Sequence, residues 1–173
     1  MTYDFYLTNE YSQNLLTVRD VTGDKNKLFQ YACTTQETPP PETDDGYIWF
    51  TYESPATKTD GVLLYNSFSE GFFGVTGTIF PAEGTKPAKA QLGTLTFFPT
   101  QLIERVNFVA VQGKPDYYYI QTYINNANTN TYLVYDDEAD DVSFMIIDDL
   151  NTKNVHLNTM WKMTQIRNDV PIA

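Results

Sequence analysis

The sequence predicts an all-β domain made of three related four-strand units, on three observations. Aromatic and β-branched residues gather in short runs such as "YIWFTY" and "DYYYIQTY", within a chain of 173 residues that holds 13 Tyr, 11 Phe and 2 Trp. Such runs suit a pleated, half-buried surface. No stretch of a dozen residues combines a 3.6-residue apolar period with capping residues. "PTQLIERVNF" comes nearest, and Pro99 suits the opening of a single helical turn there. Finally, the chain repeats itself, which is the most informative observation.

The first strand of each unit reads "DFYLTN" at 4–9, "GVLLYN" at 61–66 and "YYYIQT" at 117–122, with Leu7, Leu64 and Ile120 in register at spacings of 57 and 56. A polar loop leads to the second strands, "NLLTVRD" at 14–20, "GFFGVTG" at 71–77 and "TYLVYDD" at 131–137, which align Leu16, Phe73 and Leu133. The third strands are "KLFQYA" at 27–32, "AQLGTLTFF" at 90–98 and "DVSFMII" at 141–147. Each unit closes on a strand with one large ring, "YIWFTY" at 47–52, "RVNFVAV" at 105–111 and "TMWKMTQI" at 159–166, which aligns Trp49, Phe108 and Trp161 at spacings of 59 and 53 and assigns all three to the core. Between them run "TTQETPPPETDDG" (34–46), whose prolines bar it from a strand, "FPAEGTKPAKA" (80–90) and "IDDLNTKNVHLN" (147–158). Loop length varies while strand order holds. One four-strand unit cannot bury its own apolar face. Three around an axis close a barrel and cap it with hairpins, which removes exposed sheet edges. The expectation is a β-trefoil filling residues 1–173 as a single domain, with repeats at about 4–57, 61–113 and 117–168.

Composition narrows the partners. With 11 Lys and Arg against 22 Asp and Glu, the formal net charge is -11. A scattered, outnumbered set of basic residues excludes a nucleic-acid stripe and disfavours anionic membranes. The apolar runs are too short for the ~20 residues that span a bilayer, so no membrane insertion is expected. The opening "MTYDFYLTNE" has no basic n-region, and no Asn-x-Ser/Thr acceptor occurs. A cytoplasmic or non-classically secreted protein is the expectation. Cys33 is the one cysteine, so no internal disulfide forms, and its place in a strand suits a small core residue.

"LLTVRDVTGDKNKLFQYAC…YIWF" resembles one subdomain of the ricin B-chain type lectins. That family repeats a Val-Arg-Asp-like strand end, a Gly/Asn turn, an apolar strand ending in Gln and an aromatic, and a Gln-x-Trp closing strand. The resemblance is detailed over about 35 residues of the first unit, weaker in the third and architectural in the second. It implies a lectin for galactose or N-acetylgalactosamine glycans, with glycans or glycoproteins as partners. A carboxylate would accept two sugar hydroxyls, a flat ring would cover the C–H face, and an amide would both donate and accept. The resemblance carries Asp20 over as the carboxylate and Tyr31 as the ring, with Phe29 or Gln30 beside them. Where the family has Asn and Gln before the closing Trp, this chain has Gly46 and Tyr47, so Asp44 or Asp45 would have to substitute. The third unit offers Asp136 or Asp137, Asn158, and Phe144, Met145 or Tyr135 in the ring position. The second has Gly77 at the carboxylate position and is expected to be purely structural. Each residue also has an ordinary role: a strand-end Asp caps turn N–H groups, "DDEADD" makes a solvated hairpin, and Tyr31 suits a half-buried strand. Shallow sugar sites would gain strength through multivalency, from two sites or a homodimer.

Catalysis is not expected. His156 is the one histidine and lies in a polar loop, whereas a Ser-His-Asp or Cys-His arrangement needs a positioned imidazole. Zinc needs several His or Cys ligands, and no phosphate-cradling Gly-Lys-Ser/Thr loop occurs. The acidic pairs cluster locally, unlike an acid/base dyad, and lack EF-hand spacing. No cofactor or metal is therefore expected. The alternative to a lectin is a β-trefoil protease inhibitor acting through the Pro-rich loop 36–46, whose prolines hold it extended and limit the ordering cost of docking. A trefoil that binds proteins without a small ligand is a third reading.

Overall fold

The computed structural model describes residues 2–18, 29–34, 45–67, 72–75, 88–93, 105–124, 127–136, 141–147, 150 and 157–166. The first unit supplies β1 (Tyr3–Asn9), β2 (Leu16–Val18), β3 (Phe29–Thr34) and β4 (Trp49–Thr51). The second supplies β5 (Tyr65–Asn66), β6 (Phe72–Val75), β7 (Ala88–Gly93) and β8 (Arg105–Ala110). The third supplies β9 (Tyr117–Ile124), β10 (Ala127–Asp136), β11 (Asp141–Ile146) and β12 (Trp161–Gln165). Three-residue 3-10 turns at Asp45–Tyr47 and Leu157–Thr159 precede β4 and β12. The helical turn expected after Pro99 lies outside the described residues, as do His156 and Gly77.

Strand pairings run in a ring. β12 pairs with β1, β1 with β4, β4 with β5, a bridge joins Val62 to Val106 of β8, β8 pairs with β9, and β9 returns to β12. The hairpins β2–β3, β6–β7 and β10–β11 form the cap, where β7 pairs with both β3 and β11. The three units use equivalent pairs where the first strand meets the second: Thr8 with Leu15, Tyr65 with Phe72, and Gln121 with Tyr132. Closing the ring gives each barrel strand two neighbours, which satisfies backbone groups that an open sheet would expose.

Alternation along the strands builds the core. β1 buries Phe5, Leu7 and Asn9, β4 buries Trp49 and Thr51, and β12 buries Trp161 and Met163. Leu7, Leu64 and Ile120, aligned from the sequence, meet in one cluster with Leu16, Leu133, Trp49 and Trp161. Both indole N–H groups donate to the carbonyl of the aligned leucine, Trp49 Nε1 to Leu16 O at 3.0 Å and Trp161 Nε1 to Leu133 O at 3.1 Å. Each bond ties the closing strand of its unit to the cap hairpin above it.

The second unit corrects one expected correspondence. Phe5 pairs with Trp49, Tyr118 with Trp161, and Val62 with Val106. Val106, not Phe108, therefore occupies the tryptophan position. Phe108 stands two residues further, where the other units have Thr51 and Met163. Residues two apart share a strand face, so a ring at either position reaches the core. Phe108 meets Phe5 and Tyr118 edge-on, with centroids 5.8 and 5.9 Å away.

The expected strand 61–66 is also interrupted: only Tyr65–Asn66 is regular. Gly61 has φ +81°, and a Cβ there would sit 2.6 Å from Arg105 Cβ and 3.1 Å from Tyr123 Cβ. The absent side chain lets the backbone pack closely against the paired Arg105 and Tyr123 of β8 and β9 just before Val62 bridges to Val106. Gly61→Ala combines left-handed strain with backbone displacement, and should destabilise the fold by about 2–3 kcal/mol in chemical denaturation.

Candidate functional site

The third hairpin meets the start of the chain at the 3-10 turn Leu157–Thr159. β10 and β11 pair from Thr131–Ile146 up to Asp136–Asp141, so two acidic residues face each other across the last described rung. Asn158 sits in the 3-10 turn beneath. Its Nδ2 donates to Tyr135 O at 3.0 Å, its Oδ1 accepts from Thr159 Oγ1 at 3.4 Å, and its carbonyl accepts from Asn9 Nδ2 at 2.8 Å. The amide group is thereby held beside the hairpin end rather than left to rotate.

Asn9 brings in the first unit. Fully buried at the end of β1, it accepts at Oδ1 from the N–H groups of Tyr11 and Ser12, both at 3.1 Å. The turn is closed twice more, by Gln13 N–H to Asn9 O and by Asn9 N–H to Asn14 O, each at 2.8 Å. Gln13 takes φ +60° to make that closure. The turn projects Tyr11, 52% exposed, onto Tyr135, with ring centroids 6.4 Å apart and planes tilted by 32°. An exposed ring, a fixed amide and the end of an acidic hairpin thus gather where the third unit meets the first.

Glu10 anchors the other side of the turn. Its N–H donates to Met160 O at 2.9 Å, and its carboxylate accepts from Lys114 Nζ at 2.9 Å, while the ammonium lies 4.7 Å from the Tyr117 ring centroid. The Lys114 hydrogen bond first, then that from Tyr117, holds Glu10 below the usual carboxylate range. The same contact with Glu10 pushes the Tyr117 hydroxyl up. A depressed carboxylate contributes stability that is present above its unfolded pKa and lost as pH falls through the folded value. Glu10→Gln should therefore flatten part of the acid limb of a stability–pH curve, by under about 1 kcal/mol because Lys114 is partly solvated.

The sequence-based candidates divide. Asn158 is in the gathering. Phe144 is a correction: it is 1% exposed, pairs with Leu133 and packs in the main core, so it offers no face to a ligand. Alternation along β11 sends Val142 and Phe144 inward and leaves Met145 outside. Tyr135 is 6% exposed and backs Tyr11 rather than standing as the free ring. Gln30 and Tyr31 lie on β3 opposite Leu92 and Gln91 of β7, and Asp45 opens a 3-10 turn. The side chains of Gln30, Tyr31 and Asp45 lie outside the described residues, and so do Asp20, Asp137 and residues 35–44 of the Pro-rich loop. Tyr11 was missed because it belongs to another unit. The available signal was an aromatic alone in a polar turn, "NEYSQN".

The first unit solves the same attachment without an amide. Gly46 stands three residues before Trp49, as Asn158 stands before Trp161. Gly46 O accepts from Asn66 Nδ2 at 2.9 Å, repeating the Asn9–Asn158 bond, and from Thr17 Oγ1 at 3.2 Å. A hydroxyl on the hairpin thus replaces the amide on the turn as the donor that joins them. Among the described residues, no group of three or more His, Cys, Asp or Glu is placed to hold a metal ion, and no helix is long and apolar enough to cross a membrane.

No family model matches the chain, and no curated protein matches it in sequence. In fold it is similar to several solved structures. The Macrolepiota procera ricin B-like lectin in complex with lactose matches with a TM-score of 0.58 and 13% identity, over 92% of this chain and 93% of that one. The Rhizoctonia solani agglutinin matches with a TM-score of 0.59 and 14% identity, over 95% and 96%. An exo-β-1,3-galactanase from Clostridium thermocellum matches with a TM-score of 0.59 and 13% identity, over 95% of this chain and 30% of that one. The chain has the β-trefoil fold, the fold of the ricin B-like lectins.

Proposed function

We propose that the chain is a non-catalytic lectin that binds galactose or N-acetylgalactosamine glycans at one or two cap sites. The observation that carries this reading is the arrangement of Tyr11, Tyr135 and Asn158 beside the acidic end of the β10–β11 hairpin. It supplies an exposed ring for the C–H face of a pyranose and an oriented amide for its hydroxyls. Asn158 Oδ1 has two lone pairs and one long internal bond, so it can accept from a sugar hydroxyl. Asp136 or Asp137 would supply the charge-assisted acceptor. The likeness to a lectin bound to lactose supports the ligand class. Asp20 and Tyr31, with Gln30 and Asp45, form the proposed counterpart in the first unit. Galactose, site number and a homodimer that adds avidity are all part of the proposal.

Titration with lactose and N-acetylgalactosamine, followed by NMR of the tyrosine ring protons, tests it. Saturable shifts at Tyr11 and Tyr135 are expected. Tyr11→Ala should weaken binding by about tenfold, equivalent to about 1.4 kcal/mol, while leaving stability within about 0.5 kcal/mol because the side chain is exposed. Unchanged affinity in Tyr11→Ala, or no shifts with either sugar at millimolar concentrations, would reject the third-unit site. Asp20→Ala in the same titration examines the first-unit site separately.

A further inference from the structure

A second aromatic surface lies on the barrel wall, away from the Tyr11 turn. Phe50 of β4 and Tyr65 of β5 are cross-strand partners whose rings stack, with centroids 5.2 Å apart and planes within 11°. Tyr52 meets both edge-on, 5.7 Å from Phe50 and 5.3 Å from Tyr65, and is 60% exposed. Alternation requires this face to be external, because Trp49, Thr51 and Asn66 on the same strands point into the core. The core needs no such rings outside it, and aromatic side chains gathered on a surface mark contact sites more often than scattered ones do.

Glu53 follows Tyr52 in the chain and Arg105 acts electrostatically on Tyr65, and both belong to a balanced network of charges. Lys58 Nζ lies 3.0 Å from Glu53 and 3.2 Å from Asp60, and Arg105 lies 3.9 Å from Glu53 and donates to Gly61 O at 3.2 Å. Burial is the main cause that pushes the Tyr65 hydroxyl up, so it stays a neutral donor at physiological pH. Two acids and two bases sum to zero on a chain whose net charge is -11. With equal numbers of acids and bases, the face carries no net charge to draw in a second copy of a chain at -11, so a homodimer would form elsewhere. A cationic guest would meet Lys58 and Arg105, and the stacked pair leaves no gap between its rings to enclose one. A neutral polyol meets no such penalty: its C–H face fits an aromatic ring, and its hydroxyls find a carboxylate acceptor and a guanidinium donor at the rim.

We infer that Phe50, Tyr52 and Tyr65, with Glu53 and Arg105 at their rim, form a saccharide platform on the barrel wall that takes one pyranose of a neutral glycan. This rests on the proposed glycan-binding activity for its ligand class, and it names a site separate from the cap hairpins. Two saccharide contacts on different faces of one domain would let a single chain bridge or retain a branched glycan by effective concentration.

The test is an NMR titration with lactose, N-acetylgalactosamine, cellobiose and chitobiose of the unaltered chain, Tyr52→Ala and Tyr11→Ala. Saturable shifts of the Tyr52 and Tyr65 ring protons are expected for at least one sugar. They should persist in Tyr11→Ala and be weakened at least fivefold in Tyr52→Ala. Tyr52→Phe, which keeps the ring, should restore binding to within about twofold. Shifts at Tyr52 without shifts at Tyr11 would reject the third-unit cap site and keep the wall platform; the reverse would reject the platform alone. The platform is also overturned if none of the four sugars moves Tyr52 or Tyr65, or if sedimentation shows a dimer that Tyr52→Ala abolishes, since the occupant would then be a second copy.

Discussion

Replacing Trp161 by Phe should lower the stability of the whole domain by about 3 kcal/mol, although the substitution keeps an aromatic ring in the core. Trp161 is fully buried, and its indole N–H donates to Leu133 O at 3.1 Å. Phenylalanine leaves that buried carbonyl without its donor, at a cost of about 1–3 kcal/mol, and leaves part of the indole volume empty. For a chain of this length the melting temperature should fall by about 6–12 °C. The loss should be concentrated in the β10–β11 hairpin, which the bond ties to β12, so amide exchange there should accelerate first. Trp49→Phe should behave alike in the β2–β3 hairpin, because Trp49 makes the same bond to Leu16. A loss under about 1 kcal/mol in calorimetry would mean that volume is recovered and the carbonyl re-partnered, contrary to the role assigned to the indole.

Asn9→Ala should have an effect of similar size and a second consequence at the site. The side chain is fully buried and bonded at both ends, to Asn158 O through Nδ2 and to the N–H groups of Tyr11 and Ser12 through Oδ1. Alanine removes one acceptor and one donor together, at about 3 kcal/mol. The turn that holds Tyr11 against Tyr135 loses its internal cap, so lactose affinity at the third-unit site should fall by more than the tenfold expected for Tyr11→Ala alone. Asn66→Ala offers the comparison. It removes the equivalent bond to Gly46 O, but Thr17 Oγ1 still donates to that carbonyl. Lactose affinity at the third-unit site should be unchanged, because Asn66 stands on β5 of the second unit. Equal losses of lactose affinity in the two variants, read by NMR titration, would contradict the separate roles.

Much of the architecture was legible because it depends on residue type and spacing. Strand period, turn residues and repetition are local signals, and Leu7, Leu64 and Ile120 share one environment because the three units must bury equivalent positions around one axis. The error at Phe108 arose from the same logic. Val106 and Phe108 point to the same side of β8, so composition favours the larger residue while pairing with β9 and Val62 decides the register. Gly61 was legible as a strand boundary but not as a position where a methyl group would strike Arg105.

The site was less legible. Asn158 could be named from its place before Trp161, but its orientation depends on the Tyr135 carbonyl of a different strand. Tyr11 stands 124 residues from Tyr135, and no local pattern joins them. By itself, the sequence determined an all-β chain of three four-strand units and its principal core residues, because burial periodicity and repetition are written into neighbouring residues. Only the tertiary structure decided which unit's turn meets which unit's hairpin, which ring remains exposed, and where the second aromatic surface lies. Those outcomes follow from barrel closure, which brings the last strand beside the first and sets contacts between residues that are remote along the chain.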